Sequence, residues 1–264
     1  MTKNYELNDD LTRAGGAYTN FRGSAAAPTH NPVAFDGLLT NKLLTGLPGA
    51  DFARLLPHLE PVELACEENL YTIGDSPEFV FFPENAVVSH LHVLSDGGTI
   101  EADMVGRDGL TGLSAVFNST PPDRWTKVLV GGSALRVRAE VMRQEFSLGG
   151  GVQQSLLAYA SARLAQVAQR AVCNGLHSVE QRLCSWLLML HDRAGDQSLT
   201  LTHERIARHL GTRRAGITEL ATTLRSRGHI SYSRGFMRVV NRQGLEVSAC
   251  ECYRVQARPR ARGV

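Results

Sequence analysis

Leu201–Arg242 reads LTHERIARHLGTRRAGITELATTLRSRGHISYSRGFMRVVNR, and the spacing within it decides the fold. Thr202 offers a capping hydroxyl to a short helix whose apolar residues Ile206, Ala207 and Leu210 fall at helical intervals. Gly211 ends that helix, because a sharp exit needs a residue that tolerates positive φ. Thr212 can cap a second helix with Ile217, Leu220, Ala221 and Leu224 on one face, closed by Gly228. Ile230–Tyr232, Ser233-Arg234-Gly235 and Phe236–Val240 then read as strand, tight turn and strand. Two helices across a glycine turn, followed by a hairpin, define a winged helix-turn-helix.

Charge supports a nucleic-acid role for this end of the chain. From Thr202 onward there are 13 Arg, no Lys and 4 Glu, a charge of +9. The whole chain carries only +2, so the residues before Thr202 carry −7. A basic quarter on an acidic remainder is the distribution expected when one part meets phosphates and the other does not.

The rest of the chain supplies two further parts. With 264 residues, 43% of them hydrophobic, it is long enough for two cores. It shows no apolar run of membrane-spanning length and no apolar leader, so a cytoplasmic location and no membrane partner are expected. Residues 1–35 read as a flexible extension rich in Asn, Thr, Gly, Ala and Pro. Residues 36–148 begin with short helices and continue through closely spaced strand signals separated by Gly-Asp, Pro-Glu-Asn, Asp-Gly-Gly and Gly-Gly turns. Ser95-Asp96-Gly97-Gly98 marks a hairpin tip. Many short antiparallel strands imply a barrel or jelly roll.

Residues 149–176 open on Gly149-Gly150-Gly151 and continue as a strong helical run. Leu157, Ala160, Leu164, Val167 and Ala171 recur at intervals of 3, 4, 3 and 4, the seam of a coiled coil, which predicts a homodimer. Ser178 and Gln181 form a capping-box pattern ahead of a helix burying Val179, Leu183, Trp186, Leu187 and Leu190. Residues 177–264 complete the winged helix and end in an Arg-rich tail. The fold class is therefore α+β: an N-terminal antiparallel β-roll, jelly-roll-like, a long dimerisation helix, and a C-terminal winged helix-turn-helix.

This order of parts, from Asn41 to Tyr253, resembles the Crp/Fnr family of bacterial transcription regulators. The resemblance is most specific in LTHERIARHLGTRRAGITELATTLRSRGHISYSRGFMRVVNRQGLE and is reinforced by CNGLHSVEQRLCSWLLMLHDR from Cys173. It implies a homodimer on double-stranded DNA, gated through the β-roll, with RNA polymerase as a partner if the protein activates. The family's cyclic-nucleotide binders hold ribose with a glutamate and phosphate with an arginine followed by a small hydroxyl residue. Here Leu113 stands in the glutamate's place, and Trp125 follows the candidate arginine, Arg124. Cyclic nucleotide is therefore not expected, and Arg124 and Trp125 remain the candidate effector residues. The oxygen-sensing members hold an iron–sulfur cluster through N-terminal cysteines, and no cysteine precedes Cys66. No residue points to haem, which is left open. Cys66, Cys173, Cys184, Cys250 and Cys252 form no disulfide framework. Cys250-Glu-Cys252 is too close-set for a usual zinc pair and has no second pair in the sequence, so free thiols and no metal are expected.

The recognition helix is predicted from Arg213 to about Arg227. Arg214, near its start, is placed to read a guanine, with Arg213 on phosphate. Ala215 and Gly216 occupy positions where well-known family members carry an acidic reader, and Gly216 admits a close backbone approach. Thr212, Ile217 and Thr218 complete the DNA-facing set, and Thr202, Arg205, Arg234 and Arg238 are phosphate candidates. The alternative is a cupin-like metal enzyme or ligand-binding barrel using His90 and His92, which alternate on one strand face. Its glutamate is missing, Glu101 being too distant, and no phosphate-binding loop, nucleophile elbow or His-Glu-x-x-His is present, so no enzyme is expected.

Overall fold

The computed structural model describes residues 39–95, 97–117, 122–195 and 199–257. The N-terminal extension, Asp96 of the hairpin tip, residues 196–198 of the link and the Arg-rich tail lie outside the described residues. Helices α1 (Lys42–Thr45) and α2 (Gly49–Leu55) lead into the roll. The buried Asn41 side chain fixes this entry: its oxygen caps the N–H groups of Leu43 and Leu44, and its amide donates to the carbonyls of Pro83 and Gly109.

Seven strands follow: β1 (Glu60–Leu64), β2 (Asn69–Tyr71), β3 (Phe79–Pro83), β4 (Val87–Val93), β5 (Thr99–Val105), β6 (Trp125–Val130) and β7 (Gly132–Arg138). They pair antiparallel in two sheets, ordered β1-β7-β3 and β2-β6-β4-β5. Val62, Leu64, Tyr71, Phe81, Val88 and Val128 pack between them as one apolar cluster. The expected β-roll is thus present. Two helices interrupt it, α3 (Leu113–Val116) and α4 (Ala139–Ser147). The strand signals expected through residues 36–148 leave out α4, although Ala, Glu, Met, Arg and Gln are strong helix formers and Ala139 and Met142 bury one face.

The long helix α5 (Gly150–Leu176) carries two faces. One buries Val152, Leu156, Tyr159 and Arg163 against the roll. The Tyr159 hydroxyl donates to the Leu110 carbonyl at 2.8 Å and accepts from the Leu110 N–H at 3.1 Å. Gly109 is needed beneath it, since any Cβ there would run into the Tyr159 ring. The other face leaves Leu157 and Leu164 52% and 73% exposed, with Ala171 exposed beside them.

After α5, Ser178 and Gln181 form the capping box that starts α6 (Val179–Ala194), which buries Leu183, Trp186, Leu187 and Leu190. Then come β8 (Leu199–Thr200), α7 (His203–Leu210), α8 (Arg214–Ser226), β9 (Ile230–Ser233), β10 (Phe236–Val239), α9 (Arg242–Ser248) and α10 (Glu251–Ala257). The wing is a three-stranded sheet, β8-β10-β9, where the link before α7 adds a strand the sequence did not announce. Thr202 caps α7 through the Arg205 N–H, and Gly211 leaves it at φ 59°. Thr212 does not cap α8. Its N–H is turned back to the Ala207 carbonyl at 3.0 Å, closing α7, and Arg213 takes the cap position without a side-chain hydrogen bond.

One apolar cluster runs from Val87, Met104 and Leu129 of the roll through α6 to Ile206, Leu210, Ile217 and Leu224 of the winged helix. The winged helix therefore packs directly on the sheet. Gly211 lies against β5, where a Cβ would stand 2.7 Å from Ile100 Cδ1, and glycine takes the exit turn there without a steric cost.

Candidate nucleic-acid interface

The packing of α8 separates its two sides. Ile217, Ala221 and Leu224 are buried, whereas Arg213, Arg214, Thr218, Thr222 and Arg225 are exposed. Ile217, expected among the DNA-facing residues, is fully buried and serves the core, because α8 docks through that stripe. The first turn of α8 holds no acidic residue, so its unpaired N–H groups and the two arginines present one positive end. Gly216 has open space where a Cβ would stand.

A clamp absent from the sequence reading sets the relation of α7, α8 and the wing. The His203 ring stacks on Tyr232 at 4.4 Å, and its Nδ1 lies 3.0 Å from Thr218 Oγ1. Thr218 Oγ1 in turn lies 3.0 Å from the Arg214 carbonyl it donates to. Burial, then the nearby Arg214 charge, holds the His203 imidazolium below its ordinary range. The stacked pair is invisible in sequence because its members are 29 positions apart.

At the wing tip, Arg234 and Gly235 have φ of 50° and 83°. Two consecutive left-handed residues between paired strands suit the twist of a hairpin, and Gly235 adopts that region freely. Arg234 adopts it against its preference and stands exposed at the tip. Arg238 is exposed on β10, and Thr202 is exposed with its hydroxyl engaged as a cap. Arg205 is a correction. It is turned inward, donating to the carbonyls of Thr200 at 2.6 Å and Leu129 at 2.8 Å and pairing with Glu67 at 2.7 Å. Its guanidinium is consumed in docking α7 on the roll and is taken out of the phosphate set.

That docking is reinforced by buried charge. Glu101 on β5 accepts from Ser89 Oγ at 2.6 Å and from Trp186 Nε1 at 2.9 Å. It also lies 2.9 Å from both the His209 Nδ1 and the Arg170 guanidinium. Burial alone would raise this carboxyl, but Arg170 and His209 together with these hydrogen bonds bring it down from 4.5 to about 2. Asp103, half-buried beside it, is held low by Arg163 and His90. Arg193 pairs with Asp108 at 2.7 Å.

The other candidates part company. His90 Nδ1 is 2.5 Å from Asp103 and its Nε2 2.9 Å from Thr111, an internal pairing that uses both ring nitrogens. Among the described residues, the group able to hold a metal does not include His90 or His92. Arg124 pairs with Asp123 at 2.7 Å at the surface, while Trp125 lines a shallow recess with Leu91, Lys127, Arg208 and His209. Arg124 does not line that recess. Cys250 and Cys252, which lack a second pair in the linear sequence, acquire one in space: Cys173 and His177, from the end of α5, meet them.

The fold is that of an α+β chain with a winged helix-turn-helix, a β-roll and a long helix. Residues 181–247 match the Crp-like helix-turn-helix domain. No curated protein matches the chain in sequence. In structure it is similar to FixK2 from Bradyrhizobium japonicum, with a TM-score of 0.62 at 17% identity over 73% of this chain and 98% of that one. It is also similar to a putative crp/fnr-family transcriptional regulator from Eubacterium rectale, with a TM-score of 0.61, 18% identity, and 79% and 97% covered. The c-di-GMP responsive global regulator CLP from Xanthomonas campestris gives a TM-score of 0.56 at 15% identity, covering 73% of this chain and 99% of that one. The chain carries a Crp-like helix-turn-helix domain and has the fold of the Crp/Fnr regulators. Among the described residues, no helix is long and apolar enough to cross a membrane.

Proposed function

We propose that the chain is a homodimeric transcription regulator that reads an inverted-repeat DNA site through α8. The observation that carries this reading is the exposed positive end of α8, led by Arg213 and Arg214, on a domain whose opposite side is buried. Arg214 is assigned to a guanine edge, and Arg213, Arg234 and Arg238 to phosphates. Mobility-shift titration across salt is the direct test. Affinity should fall steeply with salt and favour a palindrome over its scrambled form, and equal affinity for both would sink the reading. Arg234→Ala should weaken binding to every DNA alike and lower the salt slope by about one. A selective loss at one base position would reassign Arg234 as a reader.

The dimer rests on the uncovered seam of α5. Leu157 and Leu164 keep 52% and 73% of their surface in water, so covering them with a second copy of α5 is worth roughly 1–2 kcal/mol each. Leu164→Glu should give monomers by analytical ultracentrifugation and lose the preference for paired half-sites. A variant that stays dimeric would move the interface elsewhere.

The roll is assigned to gating, by two routes. Tyr159 and Arg163 link it to α5, while Glu67, Ile100 and Glu101 link it directly to α7. Cyclic nucleotide is not the proposed signal: Leu113 opens α3 as an apolar residue packed against the roll core and offers nothing to a ribose hydroxyl.

A further inference from the structure

The hinge between α5 and the winged helix holds a cluster that DNA binding does not use. Cys173 and His177 are one helical turn apart at the end of α5, and Cys250 and Cys252 flank the start of α10. The three sulfurs and one imidazole nitrogen all lie within 4.8 Å of one another, and the three cysteines are buried. Cys173 Sγ is 3.5 Å from Cys250 Sγ, and Cys252 Sγ is 3.5 Å from His177 Nδ1. We propose that Cys173, His177, Cys250 and Cys252 bind one thiophilic divalent ion, zinc, in a closed four-coordinate site that fastens α10 to α5.

The dimensions select a single ion. Metal–sulfur arms of ~2.3 Å in a tetrahedron give edges of ~3.8 Å, close to the contacts observed, so little movement closes the site. An iron–sulfur cluster places several irons and sulfides among its thiolates and needs them further apart than one tetrahedral edge. A disulfide would use two sulfurs and leave the convergence of the third thiol and the imidazole without a role. Three thiolates and one imidazole make a donor set that zinc takes in structural sites, with no position left open for a substrate.

The surroundings are those of a ligand shell. His177 turns Nδ1 toward the thiols, while its Nε2 lies 3.3 Å from the Glu251 carboxylate, which orients the ring as carboxylates orient metal-bound histidines. Gln169 Nε2 is 3.1 Å from Cys252 Sγ, and Ser185 Oγ is 3.2 Å from Cys250 Sγ. Amide and hydroxyl donors at these positions would stabilise thiolates. The ligands come from segments 77 positions apart on either side of the winged helix, so the ion would set how that domain sits on α5.

Metal analysis of the full chain, purified under reducing conditions, tests this. About one zinc per chain is expected, falling to near zero in Cys250→Ser/Cys252→Ser. The chelator-treated wild-type chain should take up Co²⁺ with the intense visible bands and near-ultraviolet sulfur charge transfer of tetrahedral thiolate cobalt. His177→Cys should keep the ion and His177→Ala should weaken it. Zinc retained in the double variant, or no cobalt bands in the wild type, would overturn the proposal. So would a visible-absorbing iron–sulfur chromophore in anaerobically purified chain. Should the double variant fail to fold, the cobalt titration of the wild-type chain decides by itself.

Discussion

Glu101→Ala is expected to destabilise the chain by about 3–5 kcal/mol, the range for removing one partner of a buried ion pair. The carboxylate is 1% exposed and is met by side chains from four elements: Ser89 of β4, Arg170 of α5, Trp186 of α6 and His209 of α7. Its loss strands the Arg170 charge and the Trp186 N–H away from water. Chemical denaturation reads the effect, and a loss below about 1 kcal/mol would show that water or another group replaces the carboxylate. The pH dependence follows in sign. The carboxyl sits at about 2 in the folded chain against 4.5 otherwise, so its contribution is present above pH 4.5 and disappears as pH falls toward 2. Stability should therefore fall less steeply on acidification in Glu101→Ala than in the wild type. Asp103 and Asp108, also held low by arginines, keep part of the acid sensitivity. Equal slopes would assign the acid response to carboxylates other than Glu101. Since Glu101 also joins β5 to α7, amide exchange in α7 should quicken more than in α1 or α2.

Arg214→Ala is expected to cut the preference for the specific site over random DNA by roughly 10- to 100-fold, in line with the ~1–3 kcal/mol of one bidentate base contact. Arg214 is the first residue of α8, exposed, and not needed for the core, so the fold should survive the change. Measuring both affinities at one salt concentration separates reading from attraction. A parallel loss on both DNAs would make Arg214 a phosphate contact and pass the reading role to another residue of α8. The His203 clamp adds a second check. Thr218→Val removes the hydroxyl that His203 meets and should blur preference, while leaving the salt slope near the wild-type value.

Local chemistry carried much of this. Thr202, Gly211, the Ser178–Gln181 box and the closely spaced strand signals of the roll each act within a few residues, so the sequence announces them and the fold keeps them. The errors have both distant and local causes. Arg205 has the composition of a phosphate contact, but Glu67 and the Leu129 carbonyl claim it from the roll. Ile217 carries two roles in the sequence, one on the apolar face and one toward DNA, and the pitch of α8 leaves it only the first. Thr212 is a good capping type, yet the closing turn of α7 reaches it first.

What the sequence by itself determined is most of the elements, α4 and β8 excepted, their order and the positive winged helix, because capping, periodicity and charge are properties of neighbouring residues. What only the tertiary structure decided is how those elements are joined. The docking of α7 on β5, the carboxylate shared by four elements, and the meeting of Cys173 and His177 with Cys250 and Cys252 all couple residues many positions apart. Such contacts arise when a common apolar core brings segments together, and no local pattern encodes them.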